Sequence, residues 1–227
     1  YAFARALGHT ITPLKASLTS FITSEPWKEE LAGVSIKNAK LKLQGTKKYE
    51  FTGDFLFTHM GISGPAVFAI SALSSHEEIS DNDPKVLHID FVPEKNHEQI
   101  KEELDKGSTI QKAFTPYLPK SVFKILTQTL SIDEKTPLKE TGKKNLNRIT
   151  ETLKNFPITL ISRTPGHEIV TAGGVDLKEV NEITMESKIT PGLYFAGELL
   201  DIDGFTGGYN LQSAWATGKL AGESAAT

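Results

Sequence analysis

The 227-residue chain carries 25 Lys and Arg against 28 Asp and Glu, a net charge of −3, and is 38% hydrophobic and 23% charged. Such a chain is long enough to bury a real core in one large or two modest domains, and acids and bases mixed along its length argue against a dedicated nucleic-acid surface. With no cysteine, disulfides, thiolate nucleophiles, Cys-ligated zinc and iron–sulfur clusters are excluded for this chain. That points to a cytoplasmic location, and no apolar run approaches the roughly 20 residues that span a bilayer.

The chain opens at Tyr1 without a Met and already in a helical pattern, "YAFARALGHTI", with Ala2, Ala6 and Leu7 available for one face. The expectation is a fragment whose upstream part is missing. Residues 10–57 read as β segments. "ASLTSFIT", "LAGVSIKNAKLKLQ" and "KYEFTGDFLFT" alternate apolar and polar residues between Gly, Pro and Asn breaks. Val34 and Ile36, then Leu41 and Leu43, fall on one face of two successive strands, with "KNAK" as the turn. Short strands at this spacing predict a small antiparallel barrel or sandwich.

"ISGPAVFAISALSS" predicts a helix entered through Pro65, and "PKVLHIDFVPE" a strand ended by Pro93. From about Asn96 to Asn155 apolar residues recur at three- and four-residue spacing. Helices there are separated by Gly107, Pro119 and "SIDEKTP". The Lys-rich "KETGKKNLNR" reads most simply as a solvated helix start, with a phosphate-contacting role as the second reading. "FPITLISRTPGHEIVTAGGV" then returns to strands.

The closing stretch, "GLYFAGELLDIDGFTGGYNLQSAWATGKLAG", carries the chemistry. "LYFA" is a continuous apolar run suited to a strand buried on both faces. A loop with glycines at 197, 204, 207 and 208 follows, and a helix begins near Tyr209. Ala214, Gly218 and Ala221 or Gly222 form a small-residue stripe on that helix. Its free N–H groups and positive dipole end suit an anion or a carbonyl edge. No Lys or Arg lies between Gly192 and Thr217, so backbone would do the binding. Asn210 and Gln212 suit a heterocycle edge, and Glu198 and Asp201 suit sugar or ribityl hydroxyls. Spacing alone also allows a plain glycine-rich connection to a packed helix.

Two other motifs fail on their own terms. "DIDG" from Asp201 would need an oxygen ligand, Gly and an acid where Phe205, Thr206 and Gln212 stand, so it is not a calcium loop. "GISGP" around Ser63 has Pro65 where a nucleophile elbow needs its second Gly.

Three blocks, "FTHMGISGPAVFAISA", "TAGGVDLKEV" and the closing stretch, together resemble the YhiN/BaiN-like flavoproteins of bacteria. That family comprises FAD-dependent oxidoreductases, some aminoacetone-oxidase-like and others bile-acid-pathway reductases. The resemblance covers essentially the whole chain. It implies an α+β fold: a small antiparallel β-barrel-like domain with an inserted helical domain, plus the C-terminal part of a split Rossmann-like FAD domain. Residues 1–9 would end the first FAD-domain segment, 10–93 begin the barrel, 94–155 form the helical insertion, 156–170 supply return strands, and 171–227 close the FAD domain.

The resemblance further implies that Gly197 and Glu198 meet the ribityl or pyrophosphate region of FAD. Gly207, Gly208, Tyr209, Asn210 and Gln212 would line the flavin ring, and Gly173, Gly174 and Val175 would bring backbone past it. No catalytic acid or base and no metal ligand is assigned. Partners implied are a small organic substrate and NAD(P)H, with no nucleic acid and no membrane.

One departure matters. The chain contains no G-x-G-x-x-G turn for the ADP half of FAD. The expectation is therefore the C-terminal portion of an FAD-dependent oxidoreductase that, alone, is inactive and does not retain FAD. The alternative is a non-catalytic binding or interaction module without a cofactor.

Overall fold

The computed structural model describes residues 1–104 and 108–227; Gly107, expected as a helix break, lies outside the described residues. Along the chain run α1 (Ala2–Ala6), β1 (Lys15–Ser17), β2 (Phe21–Thr23), β3 (Ser35–Gln44), β4 (Lys48–Phe57), β5 (Gly61–Ser63), α2 (Pro65–Leu73) and β6 (Lys85–Asp90). Then follow α3 (His97–Glu103), α4 (Ile110–Phe114), α5 (Lys120–Leu130), α6 (Gly142–Lys154), β7 (Phe156–Arg163), β8 (Val170–Ala172) and α7 (Tyr209–Ala225). The fold is α+β. The chain divides into a larger unit, residues 20–70 and 77–163, and a smaller one, residues 1–19, 71–76 and 164–227.

In the larger unit six antiparallel strands close into a barrel in the order β2-β5-β4-β3-β6-β7. Alternation fills the interior of so small a barrel with side chains. Leu41 and Leu43 from β3, Phe55 and Phe57 from β4, Leu87 and Ile89 from β6, and Ile158 and Leu160 from β7 are all buried. Closure removes the edges that an open sandwich would leave unpaired. At Gly61 the neighbouring strand comes so close that a Cβ would stand 2.3 Å from the Phe21 carbonyl oxygen.

The "KNAK" turn is not formed. Ser35–Gln44 is one ten-residue strand whose register against β4 shifts between Ile36 and Ala39. Asn38 there adopts φ +49°, and its N–H donates to Asp54 Oδ1 at 2.9 Å. The bulge brings Ile36, Ala39, Leu41 and Leu43 all inward. Bulge and turn share a composition because both place Asn in the left-handed region.

The connection from β6 to β7 holds α3–α6. α3 starts at a capping box: Asn96 Oδ1 accepts from the Gln99 N–H and Gln99 Oε1 from the Asn96 N–H, each at 2.9 Å. Ile100, Phe114, Val122, Phe123, Leu126, Ile149 and Leu153 bury the inward faces of these helices in the same core as the barrel.

The smaller unit has a two-stranded sheet, β1 paired antiparallel with β8. Its core is compact: Ala4, Val175, Val180, Met185, Phe195 and Leu200. α1 buries Ala4 rather than Ala2, Ala6 or Leu7, which stay exposed. A five-residue helix has room to turn only about one residue per face inward. "LYFA" is not a strand either. Tyr194 makes a single antiparallel bridge with Glu186, and of the four residues only Phe195 is buried. The run is apolar because Phe195 and Leu193 feed a loop-built core, not because two sheet faces need covering.

Candidate functional site

The site grows from one loop of the smaller unit and the helix that it enters. Gly197, at φ +66°, opens a short 3-10 turn, Gly197–Leu199. Its N–H donates to Thr217 Oγ1 at 2.9 Å, and that buried hydroxyl donates to the Ser213 carbonyl at 2.7 Å. The start of the loop is thereby tied to α7. A Cβ on Gly197 would sit 3.6 Å from Ala214 Cβ, so small residues face each other there.

Beyond the turn Leu200 is buried and bridges Val175 in parallel, while the Asp201 N–H donates to the Val175 carbonyl at 3.1 Å. Asp203 Oδ2 accepts from the buried Ser17 hydroxyl at 2.6 Å. The Asn210 carboxamide then closes the loop onto Gly204, accepting from its N–H at 2.8 Å and donating to its carbonyl at 2.9 Å. Gly207 and Gly208, at φ +117° and +89°, bend the chain into α7 through the left-handed region, where a side chain is costly.

α7 begins with Gly208 as its cap and no capping side chain. Its first intrahelical bond runs from the Gln212 N–H to the Gly208 carbonyl at 2.9 Å. The N–H groups of the first turn are left to a solvent or ligand acceptor. Gly208, Asn210 and Leu211 at that end of the helix line a cavity of about 400 Å³, a size typical of small-molecule sites. Gly197, Glu198, Gly207, Gly208 and Asn210 line it, as does Ala214. Leu18, Ile169, Ile202, Phe205 and Leu211 supply apolar walls, and among the described residues no Lys or Arg takes part.

Of the ten residues singled out from sequence, then, five meet at one cavity. Tyr209 and Gln212 sit exposed on the same first turn but outside the lining. Gly173, Gly174 and Val175 serve the loop from behind. A Cβ on Gly173 would lie 2.3 Å from the Pro13 carbonyl oxygen, and one on Gly174 would lie 2.5 Å from the Leu200 carbonyl carbon. Val175 is fully buried, bridged to Ile11 and to Leu200. Glu198 is exposed, and its Oε1 accepts from the Thr171 N–H at 2.7 Å. Tyr1 donates to the Glu198 carbonyl at 3.2 Å; burial first, then the Glu198 charge, raises the Tyr1 phenol above its ordinary value.

The apolar walls escaped the sequence reading. Leu18 looks like an ordinary strand residue, yet it is buried at φ +51°, a backbone conformation rare for a bulky side chain. Ile169 and Ile202 lie in irregular segments, where periodicity gives no signal. The small-residue stripe on α7 also divides. Ala214 and Ala221 face the unit, whereas a Cβ on Gly218 or Gly222 would meet nothing within 4 Å.

Residues 15–168 match the family model for the HI0933-like protein barrel and H2TH domain. Over 235 residues the chain is 36% identical to the 3-dehydro-bile acid delta(4,6)-reductase of Clostridium scindens, covering 100% of this chain and 57% of that protein. It is 32% identical over 225 residues to the ribosomal RNA dihydrouridine synthase of Escherichia coli, covering 96% of this chain and 53% of that protein. The ribosomal RNA dihydrouridine synthase of Haemophilus influenzae is also 32% identical, over 224 residues, with the same coverage of 96% and 53%. The chain spans about half the length of the curated relatives it matches. Among the described residues no helix is long and apolar enough to cross a membrane.

Proposed function

The chain belongs to the HI0933-like family, and from that premise we propose that it supplies the flavin-facing part of an FAD-dependent oxidoreductase. The observation that carries this reading is the cavity of about 400 Å³ at the open N-terminus of α7. Its chemistry fits a flavin ring. Leu18, Ile169, Ile202 and Leu211 suit the faces of a flat heterocycle, and the first-turn N–H groups suit its carbonyl edge. Glu198, at the rim, suits ribityl hydroxyls.

When bound, FAD supplies two-electron transfer to an organic substrate, with NAD(P)H as the source of electrons. The residues of this chain orient the ring and favour negative charge at its carbonyl edge through the α7 dipole. The relatives' names suggest the substrate class. A delta(4,6)-reductase acting on a 3-dehydro-bile acid and a dihydrouridine synthase both saturate a carbon–carbon double bond conjugated to a carbonyl. We extend that class, an enone or a uracil-like ring, to the protein containing this chain.

The 227 residues contain no G-x-G-x-x-G turn for the ADP half of FAD, so the chain alone is expected to purify colourless and inactive. Titration with FMN, which carries the flavin half only, tests the site. Saturable quenching of flavin fluorescence is expected. Leu211→Glu, which sets a carboxylate at the exposed cavity wall, should weaken binding tenfold or more without changing the fold, as read by circular dichroism. Absence of saturable quenching, or an unchanged affinity in Leu211→Glu, would sink the reading. A purified yellow protein would refute the colourless expectation.

A further inference from the structure

We propose that a groove along α6, in the larger unit, binds the phosphate backbone of RNA. The proposal rests on the reading above and narrows its substrate class to a uridine carried in RNA.

Two cavities, of about 440 and 590 Å³, adjoin along α6 and share Lys101 and Asn147 as walls. Lys139 and Lys143 complete the charged rim of the first, over an apolar floor that includes Leu146. Among the described residues no carboxylate lines that cavity. The second cavity continues to Arg148, whose guanidinium is held by the Leu130 carbonyl at 3.0 Å and Asn145 Oδ1 at 3.3 Å. The one carboxylate lining it among the described residues, Glu151, is hydrogen-bonded to His97 Nε2 at 2.7 Å.

The groove is a local exception in an acidic chain. Residues 135–154 hold Lys135, Lys139, Lys143, Lys144, Arg148 and Lys154 against Glu140 and Glu151, while the whole chain carries −3. Lys154 is spoken for by Asp90 at 2.8 Å. The others project from positions at least partly open to solvent. A file of cations along two joined cavities matches a polyanion with repeated charges better than a ligand with a single carboxylate. Lys, Arg and Asn are the side chains that contact backbone phosphates and set register without reading sequence. An apolar floor beneath them leaves room for an unstacked base or a ribose face. A dihydrouridine-forming reductase needs such a register surface, because its target is one base within a long polymer.

The test uses the 227-residue chain and a fluorescein-labelled 20-nucleotide RNA stem-loop with uridines in the loop, titrated by anisotropy at several salt concentrations. Lys101→Gln, Lys139→Gln and Lys143→Gln together should weaken binding roughly tenfold or more. The salt slope should fall by about two, since each phosphate that a side chain neutralises on a single strand adds about 0.7 to it. A control carrying Lys15→Gln, Lys178→Gln and Lys219→Gln removes equal charge elsewhere and should bind nearly as wild type. No binding by the wild-type chain, an unchanged slope in the groove variant, or equal losses in both variants would overturn the proposal. So would a groove variant that loses binding of cholate while wild type ignores RNA, which would make the groove a steroid-carboxylate site. FMN titration of the same preparations separates the two readings. A wild-type chain that binds FMN but not RNA removes the groove alone, and a wild-type chain that does not bind FMN removes the flavin reading beneath it.

Discussion

The Asn210 carboxamide is locked to Gly204, accepting its N–H at 2.8 Å and donating to its carbonyl at 2.9 Å. That pair staples the glycine-rich loop to the first turn of α7, so Asn210 shapes the cavity chiefly by holding its rim. Gln212, exposed two residues on, makes no such tie among the described residues. Asn210→Ala should therefore cost about 1–2 kcal/mol and speed amide exchange at residues 204–208. Flavin binding should weaken as well. Gln212→Ala should leave exchange unchanged. Hydrogen exchange followed by mass spectrometry checks both, and equal exchange in the two variants would remove the staple.

A buried relay holds the N-terminal segment of the smaller unit. Ser187 Oγ accepts from the N–H groups of Ile189, at 3.0 Å, and Thr190, at 2.7 Å, so its proton goes to His9 Nε2, 2.9 Å away. With Nε2 accepting, the His9 ring donates from Nδ1 to Glu179 Oε2 at 3.2 Å. Hydrogen bonds from Thr10 are the main cause holding the Glu179 carboxyl below its ordinary value, with His9 adding to them. A depressed carboxylate contributes stability above its unfolded pKa, and that stability is lost as pH falls through the folded one. Glu179→Gln should accordingly unfold at nearly the same temperature as wild type near pH 3 but earlier at pH 7. Equal differences at both pH values would refute the assignment.

On the barrel surface Glu50 lies between Lys48 and Lys40, the latter at 2.9 Å. Hydrogen bonding from Lys48 first and Lys40 second lowers its carboxyl to about 2. The same sign applies, so its contribution fades between about pH 4.5 and 2. Because the group is partly exposed and solvent-screened, the effect should be small, and 0.5 M salt should halve it or more. Thermal unfolding of Glu50→Gln against wild type at pH 6 and pH 2, in low and high salt, checks this.

Strand alternation made the barrel legible, since Leu41, Leu43, Phe55 and Phe57 carry period-two burial that no helix would produce. The bulge at Asn38 was not, because Asn after a polar residue signals a left-handed backbone without saying whether the chain turns back or only kinks. The glycines around α7 were legible as a loop bending into a helix, and five of the ten residues chosen line one cavity. Its walls were invisible. Leu18, Ile169 and Ile202 come from irregular segments far apart in sequence, and only tertiary folding brings them together. Gly173 and Gly174 were singled out through the family resemblance, and the contacts that require a glycine at them, to the backbone of residues 13–14 and 199–200, join segments too distant in sequence for spacing to show.

Glu77 gives the larger unit both an acid and an alkaline limit. It is buried, with Oε1 accepting from the Thr46 N–H at 2.8 Å, the Thr46 hydroxyl at 2.5 Å and the Tyr49 hydroxyl at 2.6 Å. Hydrogen bonds from the Thr46 and then Tyr49 side chains hold its carboxyl below the usual range. Burial first, then the bond to Glu77, pushes the Tyr49 phenol above its ordinary value. The Glu77 contribution is present above the unfolded carboxyl pKa of about 4.3 and is lost on acidification. The Tyr49 contribution is present below the unfolded phenol pKa of about 10 and is lost as pH rises through the higher folded value. Tyr49→Phe should cost about 1–2 kcal/mol at pH 7, because a buried carboxylate is deprived of one charge-assisted hydrogen bond. It should also narrow its deficit against wild type above about pH 10, where the wild-type phenol ionises in the unfolded chain. Urea unfolding of both proteins at pH 7 and pH 10.5 measures this, and a deficit that stays constant across that interval would show that the Tyr49 proton is not what Glu77 holds.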